Sequence, residues 1–330
     1  MEIAGKRILM FYPYGATKHY GDAIKVELEK RGAQVYAYDE RPSQSSYMKI
    51  AIRLLKKRLP YLFLSYINSI IKSNKGFDFD YILVCRGEAF TPLVVGRLRD
   101  AYPRAKMILY LWDILRTTNV SEVIPFFDKA LSFDPDDVAC NKKLVFRPTF
   151  YVPQYAEIKQ TDSYRYDIMF VGTLHSNRYK IIQSFISLFR NIGLKFYVYL
   201  YVPSRIVYLK DWIKKFPYIG ISNVKFVPIS MLDTVKVLSE TKIVLDINYT
   251  SQKSLSMRAF ESIAAGRKYI TTNPEIKKYD LYDERNILVI DLKNPIIPKD
   301  FVESPFVSVN KSILYKYSVS GLVDDFFKNI

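Results

Sequence analysis

The chain predicts an α/β protein built as two doubly wound, parallel-sheet halves. Three observations carry this. Short apolar runs rich in β-branched and aromatic residues alternate with amphipathic helical segments through short loops, the pattern of strands joined by crossover helices. The alternation lapses once, over the polar stretch 157–163 with Pro148 and Pro153 before it, and restarts at Tyr166. At 330 residues the chain is too long for one ordinary core. The boundaries that follow are 1–152 for a first Rossmann-like half, 153–308 for a second, and 309–330 for a C-terminal helix packing back across the domains.

In the first half, the patterns predict strand 7–12, a helix over 18–31 closed by Gly32, and strand 34–38. Two basic and apolar helical stretches follow, then strand 79–85, helix 91–102 and strands 106–111 and 129–133. A short helix starts at Asp134, and 144–147 is the last strand. The second half repeats the theme with strands 167–171, 195–202, 224–227, 242–247 and one that closes the segment ending at Asn273. Its helices are expected over 177–191, 205–215, 231–240 and the stretch after Leu255, with a terminal helix over 311–329.

In such sheets ligands sit outside the carboxyl ends of the strands. Residues that a core argument does not explain fall there: Gly15, Arg86, Gly87, Glu88, Trp112, Asp113, Gly172, Thr173, Asn248 and Tyr249. Placed face to face, two such edges would enclose one interdomain cleft.

The most informative segment runs from Leu255 to Asn273 and reads as loop, helix, turn and strand. Serines supply an N-cap, Met257, Phe260, Ile263 and Ala264 form a core-facing stripe, and Gly266 closes the helix. Arg258 and Glu261 flank that stripe. A cation and a carboxylate near a helix N-terminus suit a ligand with both phosphates and sugar hydroxyls. The helix N-terminus, with Ser256 and Met257, and Arg258 would hold a diphosphate. Glu261 would accept hydrogen bonds from a ribose diol. The alternative is an i,i+3 ion pair on a solvated face, worth a few tenths of a kcal/mol.

Composition narrows the remaining classes. With 49% hydrophobic and 25% charged residues the chain is globular. Cys85 and Cys140 show no metal spacing and fit a reducing compartment, and neither a signal peptide nor a run of spanning length is present, so a cytoplasmic location is expected. A net charge of +16 calls for an anionic partner. Lys49, Arg53, Lys56, Lys57 and Arg58 precede the apolar stretch Tyr61, Leu62 and Phe63, so 47–72 reads as an interfacial contact with an anionic membrane surface. Base-stacking and helix-turn-helix signals are missing, which argues against nucleic acid as the partner. Phosphate-loop, Gly-x-Gly-x-x-Gly, zinc and serine-elbow motifs are missing too.

Several segments together resemble a bacterial branch of the two-domain GT-B glycosyltransferases, the spore-coat and lipopolysaccharide-core type that modifies surface polysaccharides such as capsule. The restart from Tyr166 to Arg178 looks like the opening strand and loop of their donor domain. Phe133-Asp-Pro-Asp-Asp137 and Phe146-Arg147-Pro148 look like an element of the acceptor half. The segment from Leu255 to Gly266, the strand end at Asn273 and the run from Asn286 to Asp291 complete the match. The resemblance implies a nucleotide-diphosphate sugar as donor substrate, with no separate cofactor. It further implies a glycan or lipid-linked acceptor, a donor site in the second half that includes Arg178, with Lys180 as the alternative basic residue, and an acceptor site in the first. Retaining members often carry a Glu eight residues before the ribose-binding one, where this chain has Lys253. Two readings remain beside it: a sugar-nucleotide epimerase of the same fold, and a non-catalytic basic protein binding nucleic acid or membrane.

Asp134-Pro-Asp136 also matches the Asp-x-Asp metal motif of the other glycosyltransferase fold. A helix cap explains the same residues without a metal: Asp134 as N-cap, Pro135 at the first helical position, and Asp136 and Asp137 in the first turn. The cap is the preferred reading. For a general base the candidates are Asp113, beside Trp112 as a sugar-stacking surface, then Glu88 and His19.

Overall fold

The computed structural model describes residues 3–45, 48, 51–52, 58–118, 120–174, 178–209, 224–248 and 253–330. The chain forms two compact units: Met1–Phe150 with Lys316–Ile330, and Tyr151–Tyr315.

The first unit is a six-stranded parallel sheet in the order β2-β1-β3-β4-β5-β6. Its strands are β1 (Arg7–Tyr12), β2 (Gln34–Asp39), β3 (Tyr81–Cys85), β4 (Lys106–Leu111), β5 (Lys129–Ser132) and β6 (Leu144–Phe146). Helices α1 (Lys18–Lys30), α2 (Pro60–Ser73), α3 (Pro92–Ala101), α4 (Leu115–Thr118) and α5 (Pro135–Cys140) fill the connections. Central strands read as unbroken apolar runs because helices cover both faces of a parallel sheet. Residues Met107 to Leu111 of β4 are accordingly buried. Thr91 starts α3 by accepting from the Val94 amide at 3.3 Å, with Pro92 in the first turn.

The second unit is a five-stranded parallel sheet in the order β11-β10-β9-β7-β8. Its strands are β7 (Tyr166–Thr173), β8 (Phe196–Tyr201), β9 (Thr241–Asp246), β10 (Lys268–Thr271) and β11 (Ile287–Val289). Helices α6 (Pro153–Ala156), α7 (Arg178–Asn191), α8 (Met231–Ser239), α9 (Met257–Ala264), α10 (Lys299–Glu303) and α11 (Lys311–Lys316) complete it. Ile168, Phe170, Phe185, Phe189, Ile243 and Ile270 form the centre of its core.

Two expected elements differ. The strand expected at 224–227 is a single bridge between Tyr201 and Lys225, and Pro228 lacks the amide that would extend the ladder. The terminal segment is two helices, because the Ser318 hydroxyl accepts from the Gly321 amide at 3.1 Å and starts α12 (Val319–Phe327) afresh. Helix α12 lies on the first unit. Phe326 packs against Tyr110, Phe327 packs against Tyr81, and Arg31 pairs with Asp324 at 2.5 Å.

Inside the second unit, Arg267 is fully buried. Its guanidinium donates to Gln160 Oε1 at 2.8 Å, to the Leu238 carbonyl at 3.1 Å and to the Lys159 and Ser239 carbonyls, while lying over the Tyr164 ring. Gly266 just before it takes φ of +65°, and a side chain there would meet Gln160 at 2.5 Å. The polar stretch expected to be a linker is thereby bound to the second sheet.

Candidate functional site

Each sheet has one place where successive crossovers leave in opposite directions, and ligands of doubly wound folds collect there. In the second unit it lies between β7 and β9. Arg178, at the start of α7, lies at this point: its guanidinium donates to the Thr173 carbonyl at 3.3 Å and to the Ile247 carbonyl at 2.6 Å. Gly172 lies at the same point, where a Cβ would stand 2.8 Å from the Phe170 ring and 3.4 Å from Arg178 Nη1. Burial draws the Arg178 pKa below its usual value, and Asp246 opposes that shift.

Helix α9 starts beside this point. Ser256 occupies its N-cap, yet its hydroxyl donates to Asp246 at 2.7 Å and does not cap the helix. The serine cap expected from the sequence is replaced by a Ser256–Asp246–Tyr269 chain, with Tyr269 also donating to Asp246 at 2.7 Å. Asn273 holds the approach to the helix through the Lys253 and Ser254 carbonyls, and the Asn248 amide donates to Thr272 Oγ1 at 2.9 Å. A helix start whose N-cap hydroxyl is turned away favours an anion through its backbone amides and dipole.

Phe260 and Ile263 face the core as expected, whereas Met257 and Ala264 are only half-buried. Glu261, expected to flank the stripe, is 1% exposed. The reason is α6, which covers that flank and brings Tyr155 to it. Arg258 Nη1 stands 3.0 Å from Glu261 Oε2, and the Tyr155 hydroxyl hydrogen-bonds with both side chains. Burial, with the Glu261 charge adding to it, pushes the Tyr155 pKa above its usual value. Tyr249 lies outside the described residues.

The corresponding point in the first unit lies between β1 and β3. Arg86, in the left-handed region at φ of +75°, turns its guanidinium between three carboxylates. Its Nε stands 2.8 Å from Asp113 Oδ2, Nη2 stands 3.0 Å from Glu88 Oε2, and Nη1 stands 3.9 Å from Glu40 Oε1. Arg41 pairs with Glu88 from the other side and approaches Glu40 at 3.8 Å. The Glu88 amide donates to Glu40 Oε2 at 3.0 Å. Glu40 and Glu88 are each 2% exposed, whereas the Asp113 side chain is 42% exposed. Two guanidinium groups thus face three carboxylates, and burial raises the Glu40 pKa to about 7 against the attraction of Arg86 and Arg41.

Arg86, Glu88 and Asp113, singled out in the sequence separately, are therefore one network. Trp112 is 6% exposed and edge-on to Tyr110, which leaves little ring surface for sugar stacking and corrects that expectation. His19 is half-buried in the first turn of α1 with its ring 4.0 Å from that of Tyr20, and Gly15 is exposed at φ of +146°. Glu40 and Arg41 were not singled out, although they follow β2 as Arg86 follows β3, and the same edge rule points to them. Tyr155 gave no signal, because only the packing of α6 on α9 makes it a partner of Glu261.

Asp134 caps α5, accepting from the Asp136 amide at 3.0 Å and the Asp137 amide at 3.2 Å. Asp137 in turn accepts from the Leu115 amide at 2.8 Å. No helix among the described residues is long and apolar enough to cross a membrane.

No protein-family model matches the chain, and no curated protein sequence matches it. Solved structures do. A glycosyltransferase from Rickettsia africae ESF-5 superposes with a TM-score of 0.62 at 12% identity, covering 98% of this chain and 99% of its own. The catalytic domain of starch synthase IV from Arabidopsis thaliana, solved bound to ADP and acarbose, superposes with a TM-score of 0.56 at 8% identity, covering 99% of this chain and 93% of its own. At such identities the likeness is one of fold, and the fold is GT-B.

Proposed function

We propose that this GT-B chain is a glycosyltransferase that moves a sugar from a nucleotide-diphosphate sugar to a glycan or lipid-linked acceptor. The observation that carries the reading is the second unit's strand-end geometry: the half-buried Arg178 guanidinium beside a helix start that Ser256 leaves without its own side-chain cap, with Arg258 in the first turn and Glu261 one turn on. That set matches a diphosphate followed by a ribose diol. The ADP bound in the starch synthase structure belongs to that protein, and supports a nucleoside diphosphate as a ligand this fold accommodates.

In this reading Gly172, Thr173, Arg178 and the amides at Ser256 and Met257 receive the diphosphate, Asn248 borders it, and Glu261 takes the ribose hydroxyls. Charge developing on the departing diphosphate is met by Arg178, Arg258 and the helix dipole, without a metal ion. Asp113 is the acceptor-side base if the configuration inverts. It is the half-exposed carboxylate of its network, within reach of a hydroxyl, and Arg86 orients it. Glu88 is buried between two guanidinium groups and serves to hold them. Arg58, Leu59, Tyr61 and Leu62, exposed at the start of α2, suit an anionic membrane carrying the acceptor, whereas Phe63, expected at that surface, is buried in the core, and Lys49, Arg53, Lys56 and Lys57 lie outside the described residues.

Thermal unfolding with UDP, GDP, CDP, ADP and their sugars tests the reading, since a ligand of the native state raises the midpoint by mass action. At least one nucleoside diphosphate should stabilise the protein, and silence across the panel would remove the donor assignment. Conversion of the nucleotide sugar without acceptor would replace transfer by epimerisation. Sedimentation with anionic vesicles tests the surface, where each basic residue contributes about 1 kcal/mol.

A further inference from the structure

The amino edge of the first sheet carries a second group of cations that the donor and acceptor sites do not use. Helices α2 and α3 lie side by side, joined by a hydrogen bond from Arg97 Nε to Asn68 Oδ1 at 2.7 Å. Beyond that bond they open into a cavity of about 710 Å³, within the usual range for small-molecule sites. Lys72, Lys75 and Arg97 line it, with Tyr102 at its base and Ile71 and Phe77 as apolar wall. Asn68 and Lys72 are four residues apart on α2, so they share a face.

The charge here is one-sided. Among the described residues, Lys72, Lys75 and Arg97 have no carboxylate partner. The one acid lining the cavity, Asp78, is held by Arg104 at 2.6 Å. A second observation is independent of these cations. Tyr102 is 7% exposed, packs edge-on against Phe79 at 5.0 Å, and its hydroxyl has no hydrogen-bond partner among the described residues. Buried hydroxyls normally find one. Three cations, a hydroxyl donor and an apolar wall suit a compact dianion on a carbon skeleton. A phosphate monoester, carrying about −1.5 to −2 charges at neutral pH, has that chemistry.

We propose that this cavity binds a phosphate monoester, the phosphate held by Lys72, Lys75 and Arg97 and its carrier lying on Ile71 and Phe77. The cavity adjoins the segments entering β3 and β4, whereas Arg86, Glu88 and Asp113 leave the other ends of those strands. It is therefore a second site on the opposite edge of the sheet, suited to a phosphorylated sugar that modulates the enzyme or to a phosphorylated lipid.

Titration calorimetry with glucose 6-phosphate, with glucose as uncharged control, and sedimentation with phosphatidate vesicles against phosphatidylcholine vesicles test the proposal. Glucose 6-phosphate should bind and glucose should not. Arg97→Gln, which keeps a donor for Asn68, and the exposed pair Lys72→Ser with Lys75→Ser should each weaken binding roughly tenfold or more, the usual worth of a charge-assisted bond. Tyr102→Phe should weaken it without lowering the unfolding midpoint of the free protein. Arg178→Gln should leave it unchanged, which separates this site from the donor site. Vesicle binding lost in the same lysine and arginine variants, with glucose 6-phosphate silent, supports the same phosphate chemistry on a lipid carrier. Silence toward both probes, or binding undiminished in the variants, overturns the proposal.

Discussion

The Arg178 guanidinium stands 2.6 Å from the Ile247 carbonyl oxygen, so one side chain from the start of α7 closes the gap between the ends of β7 and β9. A cation held by neutral carbonyls while burial opposes its charge is well placed to gain an anionic partner.

Arg178→Gln should therefore raise the dissociation constant of a nucleoside diphosphate roughly tenfold or more, as loss of a charged hydrogen bond does. The unmodified nucleoside should be affected less. Calorimetry on both ligands is the check. Unchanged affinity with a lowered unfolding midpoint would make Arg178 a strand bridge only.

Tyr155→Phe keeps the ring and removes the hydroxyl shared by Arg258 and Glu261. A net loss of about 0.5–1.5 kcal/mol is expected from such a bond. The donor KM should rise severalfold with kcat nearly constant, because the hydroxyl positions Glu261 and touches no reacting atom. A fall in kcat at constant KM would contradict that role.

Glu40 gives a pH dependence with a definite sign. Its carboxyl is raised by burial to about 7 in the folded protein, from 4.5 unperturbed. Between those values the folded chain keeps a proton that the unfolded chain has released. The contribution to stability is thus complete below the lower value and is lost as pH rises through about 7. Glu40→Gln cannot titrate, so the wild type should lose stability relative to the variant across that window. Denaturation midpoints of both proteins over the window decide it, and parallel curves would refute the assignment.

Asp134→Ala should cost about 0.5–2 kcal/mol of stability through the lost cap of α5. Chelation by EDTA should leave turnover intact. Turnover that stops with EDTA and returns with Mn²⁺ would assign the Asp134 and Asp136 carboxylates to a metal instead.

Strand alternation was readable because buried parallel strands leave unbroken apolar runs, as in β4, and because Gly32, Gly193 and Gly266 each mark a helix end with positive φ. Candidate residues at strand ends were readable for the same reason: position alone selected Arg86, Glu88, Asp113 and Gly172. What the sequence could not supply was the identity of partners. Glu261 looked like a surface carboxylate because its spacing from Phe260 and Ile263 sets it off the core stripe, and only a short helix distant in sequence buries it. Trp112 looked available to a sugar because its packing against Tyr110 is a tertiary fact.

Arg267 has a practical consequence for dividing the protein. Its guanidinium finds acceptors at Lys159 and Gln160, upstream of the first strand of the second sheet. A fragment that began at Tyr166, where the strand pattern restarts, would keep the buried charge but discard those acceptors. The smallest autonomous second half therefore begins before Lys159, and a protease should cut the native chain between 159 and 164 slowly, despite a composition that reads as an open tether.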